Sequence, residues 1–492
     1  MPRYFNTAGP CRPGEHYMLP PERRLPEVRG LIERGHYFVV HAPRQSGKTT
    51  CFQALAGALT SESQYAALLT SCETGQTLGP DPDGAIAAVL DTLRQDAEES
   101  LPEELRPPDA NPTLPFRSRF RDLLVRWSRR SPRPVVLFLD EIDSLLDEAL
   151  LSVLRQLRSG YGARPAGFPH SVTLIGLRDV RDYRVKLRPE PESLGTSSPF
   201  NIKVESLTLR NFNADEVTEL YEQHRADTGQ RFTADAQALA WELTRGQPWL
   251  VNALARQAVE TLVTDRSLPV TAANIEAAKE ILIQRRDTHL DSLVERLREP
   301  RVRRVISAIV SGDLLPAEVL DDDIQLTVDL GLVAVGPQGL EIANPIYREI
   351  VPRALTSVLE QSLALQRSSY LDAEGRLRFD RLLDGFRAFW CEHAESFLSR
   401  APYSEAAAQL VFMAFLHKIV NGGGFIDREL AVGSGRVDLC VRWPSTRGVD
   451  RWAVELKGLE RGAVRSAPLR SRSAHRLPGA ARPRSGSSGD FR

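Results

Sequence analysis

A chain of 492 residues is too long for one hydrophobic core and has room for about two to four domains. Its 42% hydrophobic and 26% charged residues are the balance of an ordinary globular protein, and a net charge of −1 supplies no global basic field, so any hold on nucleic acid must be local. Five scattered cysteines (Cys11, Cys51, Cys72, Cys391, Cys440), none in a C-x-x-C pair, exclude a zinc knuckle or disulfide framework and fit a reducing, cytoplasmic setting.

The first residues, "MPRYFNTAGPCRPGEHYMLPPERR", lack the apolar centre of a signal peptide. No apolar run anywhere reaches the roughly 18 residues of a membrane span, so no membrane partner is expected. "YFVVHA" (37–42) reads as a buried strand, and "KTTCFQALAGALT" (48–60) as a helix with Phe52, Leu55, Ala56 and Leu59 on one face. Between them lies Ala42-Pro43-Arg44-Gln45-Ser46-Gly47-Lys48-Thr49, one residue away from the phosphate-loop pattern G-x-x-x-x-G-K-[ST]. Alanine fits the first position if its φ stays negative. Residues Pro43 to Thr50 would cradle the nucleotide, the backbone N–H groups after Pro43 and the helix N-terminus facing phosphates. Lys48 would reach the β- and γ-phosphates, and Thr49 would join a Mg²⁺ shell. The bland alternative is a chance match in a Gly/Ser loop.

"YAALLTS" (65–71) reads as a strand, and helices follow around 84–100 and 116–130. "PVVLFLDEIDSL" (134–145) is a buried strand ending in two adjacent acids. Asp140 is expected on Mg²⁺, and Glu141 on the water that attacks the γ-phosphate. A helix-capping role stays open for Asp143. "LLDEALLSVLRQLRSGYG" then reads as a helix. "SVTLIGLRDVRDYR" (171–184) starts as a strand whose end lies beside the loop, where Arg178, Asp179 and Arg181 are candidate sensors of the γ-phosphate. A solvated charged loop is the other reading of those three. "RPEPESLGTSSP" (188–199) has the composition of a surface loop.

These motifs in order resemble a bacterial family of AAA-like ATPases, related to the STAND and origin-recognition branches. The likeness extends through "FNTAGPC", "HYMLPPERR", "LIGLRDVRDYR", "SSPFNIK", "GQPWLVNALARQAVE", "ANPIYREI", "NGGGFIDRELAVGSGRVDL" and "AVELK". It implies that "HYMLPPERR" (16–24) flanks the adenine and that Gly246-Gln247-Pro248 is the G-x-P motif of a helical lid, with Pro248 at the nucleotide. The residues themselves supply a lid helix at Asn213, with Glu216 three positions on as a capping box, and Gly246 and Pro248 as helix stop and start.

Residues 298–355 read as two helices and a short strand region resembling a winged helix. Its basic run "RLREPRVRR" (296–304) either touches nucleic-acid phosphates or forms a solvated face. Further on, "FDRLLDGFRAFWCEHAESFL" and "SEAAAQLVFMAFLHKIV" are amphipathic helices. "GRVDLCVRW" and "WAVELK" follow as strands, with Glu455 and Lys457 on one face. Asp438 with Glu455-x-Lys457 resembles the PD-(D/E)XK nuclease core. There Asp438 and Glu455 would hold a second divalent metal, Lys457 would steer the attack, and Glu405 would be the extra helix glutamate. From Leu459 to Arg492, 26 of 34 residues are Arg, Ser, Ala, Pro or Gly, a composition that cannot offset chain entropy. A shifted reading frame and a genuine basic tail both give it.

The expected architecture is therefore α/β. A P-loop NTPase sheet (1–200) is followed by a helical lid (201–290) and a winged-helix-like domain (291–358). An incomplete, restriction-endonuclease-like domain (359–457) and a disordered basic tail (458–492) complete it. Expected ligands are ATP, ADP and Mg²⁺. Expected macromolecular partners are DNA, through the winged-helix or nuclease-like domain, and a second copy of the chain. Three functions fit: an ATPase switch or motor in a nucleic-acid-linked process, a STAND-type signalling scaffold whose nuclease-like domain only binds, and an ATP-gated nuclease of weak or no activity.

Overall fold

A computed structural model describes residues 3–78, 81–178, 202–285, 288–310, 321–336, 339–351, 370–372, 374–398, 412, 415–416, 420, 425–432, 435–445 and 448–454. The chain divides into two compact units: Met1–Val305 with Pro316–Arg348, and Ile306–Leu315 with Glu349–Arg492.

In the first unit, short β-branched and aliphatic runs become the strands β1 (Tyr37–His41), β2 (Ala66–Ser71), β3 (Val135–Asp140), β4 (Ser171–Gly176) and β5 (Lys203–Thr208). All pair in parallel, in the order β2-β3-β4-β1-β5. The alternation along β1 explains the layering, because successive side chains leave opposite faces of a strand. Tyr37 and Val39 join Leu137, Leu139, Val172 and Leu174 under helices α3 (Pro82–Ser100), α4 (Phe116–Arg130) and α5 (Asp147–Gly160). Phe38 and Val40 join Val136, Phe138 and Ile175 under α1 (Glu27–Glu33) and α2 (Lys48–Ser61). With both faces covered, the open place is the carboxyl ends of β1, β3 and β4, where parallel sheets hold ligands.

Helices α6 (Ala214–Thr228), α7 (Ala234–Thr244), α8 (Pro248–Gln257) and α9 (Ala272–Arg285) follow. The capping box forms as the sequence indicates: Asn213 Oδ1 accepts from Glu216 N at 2.8 Å, and Glu216 Oε2 accepts from Asn213 N at 2.9 Å. The end of α7 differs from the sequence reading, because Arg245 already takes the left-handed cap with φ 47° and Gly246 follows with φ 71°. Gly246 has another task. A Cβ there would stand 1.8 Å from the Phe212 carbonyl oxygen, so only glycine lets these two segments meet.

Beyond α10 (Thr288–Arg296) and α11 (Pro300–Val310) come α12 (Asp322–Asp329), a hairpin of β6 (Val333–Gly336) and β7 (Gly339–Ile342), and a helical stretch at 345–351. In the second unit, the helix Phe379–Leu398 precedes an antiparallel sheet of β8 (Phe425–Val432), β9 (Gly435–Ser445) and β10 (Gly448–Val454), with β9 central. The sequence pattern does not mark residues 425–432 as a strand. Asp427, Arg428 and Glu429 break up the apolar run, and the pairs Ile426–Val441 and Leu430–Val437 reveal it only in three dimensions. Among the described residues, no helix is long and apolar enough to cross a membrane.

Candidate nucleotide site

The loop between β1 and α2 is built by two left-handed residues, Gln45 (φ 56°) and Gly47 (φ 84°), the second serving as N-cap of α2. Ala42 is buried, and φ is not positive there, so a glycine is dispensable at this first position. Ala42 N donates to Gly176 O at 3.3 Å, which binds the loop to the end of β4. Lys48 Nζ donates to the carbonyls of Ala42 (2.7 Å) and Pro43 (2.9 Å). Burial lowers the Lys48 pKa, and the carboxylates of Asp140, Asp143 and Glu141 oppose that. Ser46 is buried, and Thr50 Oγ1 accepts from Cys11 N at 3.0 Å.

From β3, Asp140 reaches across to α2, where Thr49 Oγ1 donates to its Oδ2 at 2.6 Å. Its Oδ1 accepts from Glu141 N at 2.9 Å. Asp140 is only 3% exposed, and burial raises its pKa against the pull of Thr49 and Lys48. Glu141 sits at φ 52°, a conformation few non-glycine residues adopt and one that marks functional turns. Partial desolvation at the cavity wall, then the charges of Glu73 and Asp140, push its carboxyl up to about 7. Asp143 caps no helix here; its Oδ1 accepts from Leu177 N at 3.3 Å and ties the turn to the end of β4.

A cavity of about 580 Å³ opens over these groups. Arg44, Gln45, Gly47, Lys48, Thr49 and Thr50 line its loop side, and Glu73, Asp140, Glu141 and Asp143 bring four carboxyls. Pro248, Trp249 and Asn252 close it from the lid, and Arg296 at the end of α10 also lines it. Asn6, Thr7, Gly9, Pro10 and Cys11 also line the cavity, whereas residues 16–24 do not. Tyr17 instead packs among Phe5 and His224, and Arg24 turns inward to the Arg210 carbonyl. Residues 6–11 form a strap held at both ends. Cys11 N donates to Thr50 of α2, Trp249 Nε1 donates to Thr7 O at 2.8 Å, and Arg256 Nη1 donates to Thr7 Oγ1 at 2.7 Å.

Other sequence candidates lie elsewhere. Arg178 is not at the cavity: its Nε donates to Asp329 Oδ2 at 2.9 Å, in an ion pair with both side chains largely buried (12% and 3% exposed). Pro43 lies behind the loop, close against the turn after α12, where a Cβ on Gly331 would stand 2.5 Å from Pro43 Cγ. Asp438 falls in β9, one residue before Leu439, which pairs with Val454 of β10. Asp179, Arg181, Glu405, Glu455, Lys457 and the tail 458–492 lie outside the described residues. Among those described, no group of three His, Cys, Asp or Glu is arranged to hold a metal by itself. Neither motif nor periodicity marks Glu73, while the basic run 296–304 that holds Arg296 and the family-like FNTAGPC that holds the strap give no sign of a place at the nucleotide cavity.

A strand, a glycine-capped helix and a strand-end acid pair meeting in one cavity make a P-loop NTPase core, and residues 24–166 match the family model described as AAA ATPase domain. The segment 24–166 is thus similar to an AAA ATPase domain. Among solved structures, the chain is similar to the Walker-type ATPase PABY2304 of Pyrococcus abyssi, at 14% identity over 70% of this chain and 99% of that one, TM-score 0.49. It is also similar to the RuvB Holliday junction branch migration motor of Thermotoga maritima, at 16% identity over 67% and 93%, TM-score 0.37. Cdc6p of Pyrobaculum aerophilum gives 14% identity over 69% and 94%, TM-score 0.36. A comparison with curated proteins returns no match.

Proposed function

We propose that this protein binds ATP with Mg²⁺ and hydrolyses it, using the cycle as a switch or motor in a nucleic-acid-linked process. The observation that carries the ATPase reading is the 2.6 Å bond between Thr49 and Asp140, with Glu141 next in the chain at the same cavity. A hydroxyl and a carboxylate at that spacing are hard oxygen donors, the set that suits Mg²⁺, and they would hold it. Bound there, the ion would offset phosphate charge. Lys48 and the N–H groups at the start of α2 take the phosphates, where the helix dipole favours negative charge. Glu141 is the general base: it orients a water toward the terminal phosphorus and accepts its proton on a carboxylate oxygen. Nucleotide titration and steady-state ATPase assays of wild type and Glu141→Gln test this. Equal turnover in the two would remove Glu141 from the role.

The nucleic-acid link is supported by Asp438 on β9, next to the residue that pairs with Val454, just before Glu455-x-Lys457 in sequence. Stimulation of the ATPase by DNA tests the link. Incubation of DNA with Mg²⁺ or Mn²⁺, against an Asp438→Ala control, tests cleavage, which we expect to be weak or absent. The signalling-scaffold reading draws on a different observation. Arg298, Arg301 and Arg304 of the basic run are paired with Glu295, Asp321 and Asp323, which favours packing over phosphate contact. Nucleotide-dependent protein capture without DNA affinity would select it.

A further inference from the structure

The basic run 296–304 divides. While Arg298, Arg301 and Arg304 pair with nearby acids, Arg296 lines the nucleotide cavity. It comes from the end of α10, outside both the family-matched segment 24–166 and the lid helices α6 to α9. Glu299 is its one protein partner among the described residues, accepting from Nη1 at 2.6 Å. Glu299 N also bonds back to Arg296 O at 3.1 Å, so one short turn fixes both ends of the pair. A guanidinium has five N–H donors in a planar fork, and one bond to Glu299 leaves most of that fork to a second acceptor.

Charge indicates which acceptor. A terminal phosphate standing before Glu141 would meet the carboxyls of Glu73, Asp140, Glu141 and Asp143. Lys48 is shared with the phosphates nearer the loop, and Arg44 is an exposed residue of the loop itself. Arg178 is paired with Asp329 and is not among the residues lining the cavity. Among the described residues that line the cavity, the cation left is Arg296, which comes from a different segment of chain than the loop. We propose that Arg296 takes the terminal phosphate and is the residue by which this cavity tells ATP from ADP, Glu299 serving to aim it. This assignment rests on the ATPase reading.

The test uses the full chain. ADP and a non-hydrolysable ATP analogue, each with Mg²⁺, are titrated calorimetrically into wild type, Arg296→Ala, Arg296→Lys, Arg298→Ala and Arg178→Ala. Arg296→Ala should keep ADP affinity within about twofold and lose roughly 10- to 100-fold in affinity for the analogue, the worth of a charge-assisted contact. Arg296→Lys should recover only part, because lysine keeps the charge without the fork. Arg298→Ala should match wild type. Should the alanine variant melt early, Arg296→Gln supplies the same comparison with the side chain's bulk retained. Equal loss of both nucleotides, no loss of either, or a loss of discrimination confined to Arg178→Ala overturns the assignment while leaving the ATPase reading intact. If wild type binds neither nucleotide, both fall together.

Discussion

The nucleotide cavity and the connector that follows it treat charge in opposite ways. In the cavity, Glu73, Asp140, Glu141 and Asp143 stand close together, one pKa reaches about 7, and Glu141 is held in a strained backbone conformation. In the connector, Arg301 and Arg304 of α11 meet Asp321 and Asp323 at the start of α12, and Arg178 meets Asp329 at its end. Gln325 Nε2 donates to the remaining Asp329 oxygen at 2.8 Å, so both oxygens of that buried carboxylate are bonded. Crowded like charge costs free energy and persists where a ligand offsets it; matched charge needs no ligand. Arg296 belongs by sequence to the connector and by position to the cavity.

Removing the cavity's central cation should break the comparison most severely. Lys48→Ala should weaken ATP and ADP binding by at least roughly a hundredfold, the loss of two or more charge-assisted contacts, as read by calorimetry. Retained tight binding would mean that the loop is not the phosphate site. Next, Glu141→Gln should leave nucleotide affinity near wild type and lower turnover by about a hundredfold or more.

The connector should respond in stability instead of in chemistry. Asp329→Ala takes the paired carboxylate away from a largely buried guanidinium and should cost about 3 kcal/mol in denaturant unfolding, with ADP affinity of the folded protein little changed. A selective loss of ATP affinity there would make Arg178 part of the cavity's charge system after all. Arg304→Ala, at an exposed pair, should cost about 0.5 kcal/mol or less.

A pH-dependent effect is expected in the lid. Arg210 grips Glu216 with two bonds, at 2.6 and 2.7 Å, and this, with the Asn213 N–H, holds the Glu216 carboxyl below its ordinary range. A depressed folded pKa gives stability that is present above the unfolded value and lost as pH falls through the lowered one. Glu216→Gln should therefore lower the melting temperature by a few degrees near pH 7, and the gap should close in acid. A gap that persists at pH 2 would assign the effect to packing.

Much of the fold was legible because its signals are local. The strands 37–42, 65–71 and 134–140 carry their own apolar runs, Gly47-Lys48-Thr49 and Asp140-Glu141 sit at strand ends, and Asn213 with Glu216 spells out its own cap. What escaped was set by contacts far apart in sequence. Nothing near Gly246 foretells the Phe212 carbonyl, and nothing near Arg296 foretells its place at the cavity wall. Arg178 stands where a phosphate sensor was expected, yet its partner lies 151 residues away. The strand 425–432 carries its own charges and depends on β9 for definition.

The strap over residues 6–11 has a kinetic consequence. It is tied to α2 through Thr50 and to α8 through Thr7, so the chain bridges core and lid from the amino-terminal side as well as through the segment after β5. A lid joined twice stays at high effective concentration over its core even when direct contacts between the two open. A molecule leaving the cavity then depends on a local parting at Thr7 or Cys11, not on wholesale separation of the lid. Residence time should thus be governed by a few hydrogen bonds near the amino terminus. Thr7→Val, which removes the hydroxyl bonded to Arg256, should quicken nucleotide exchange more than it weakens equilibrium affinity.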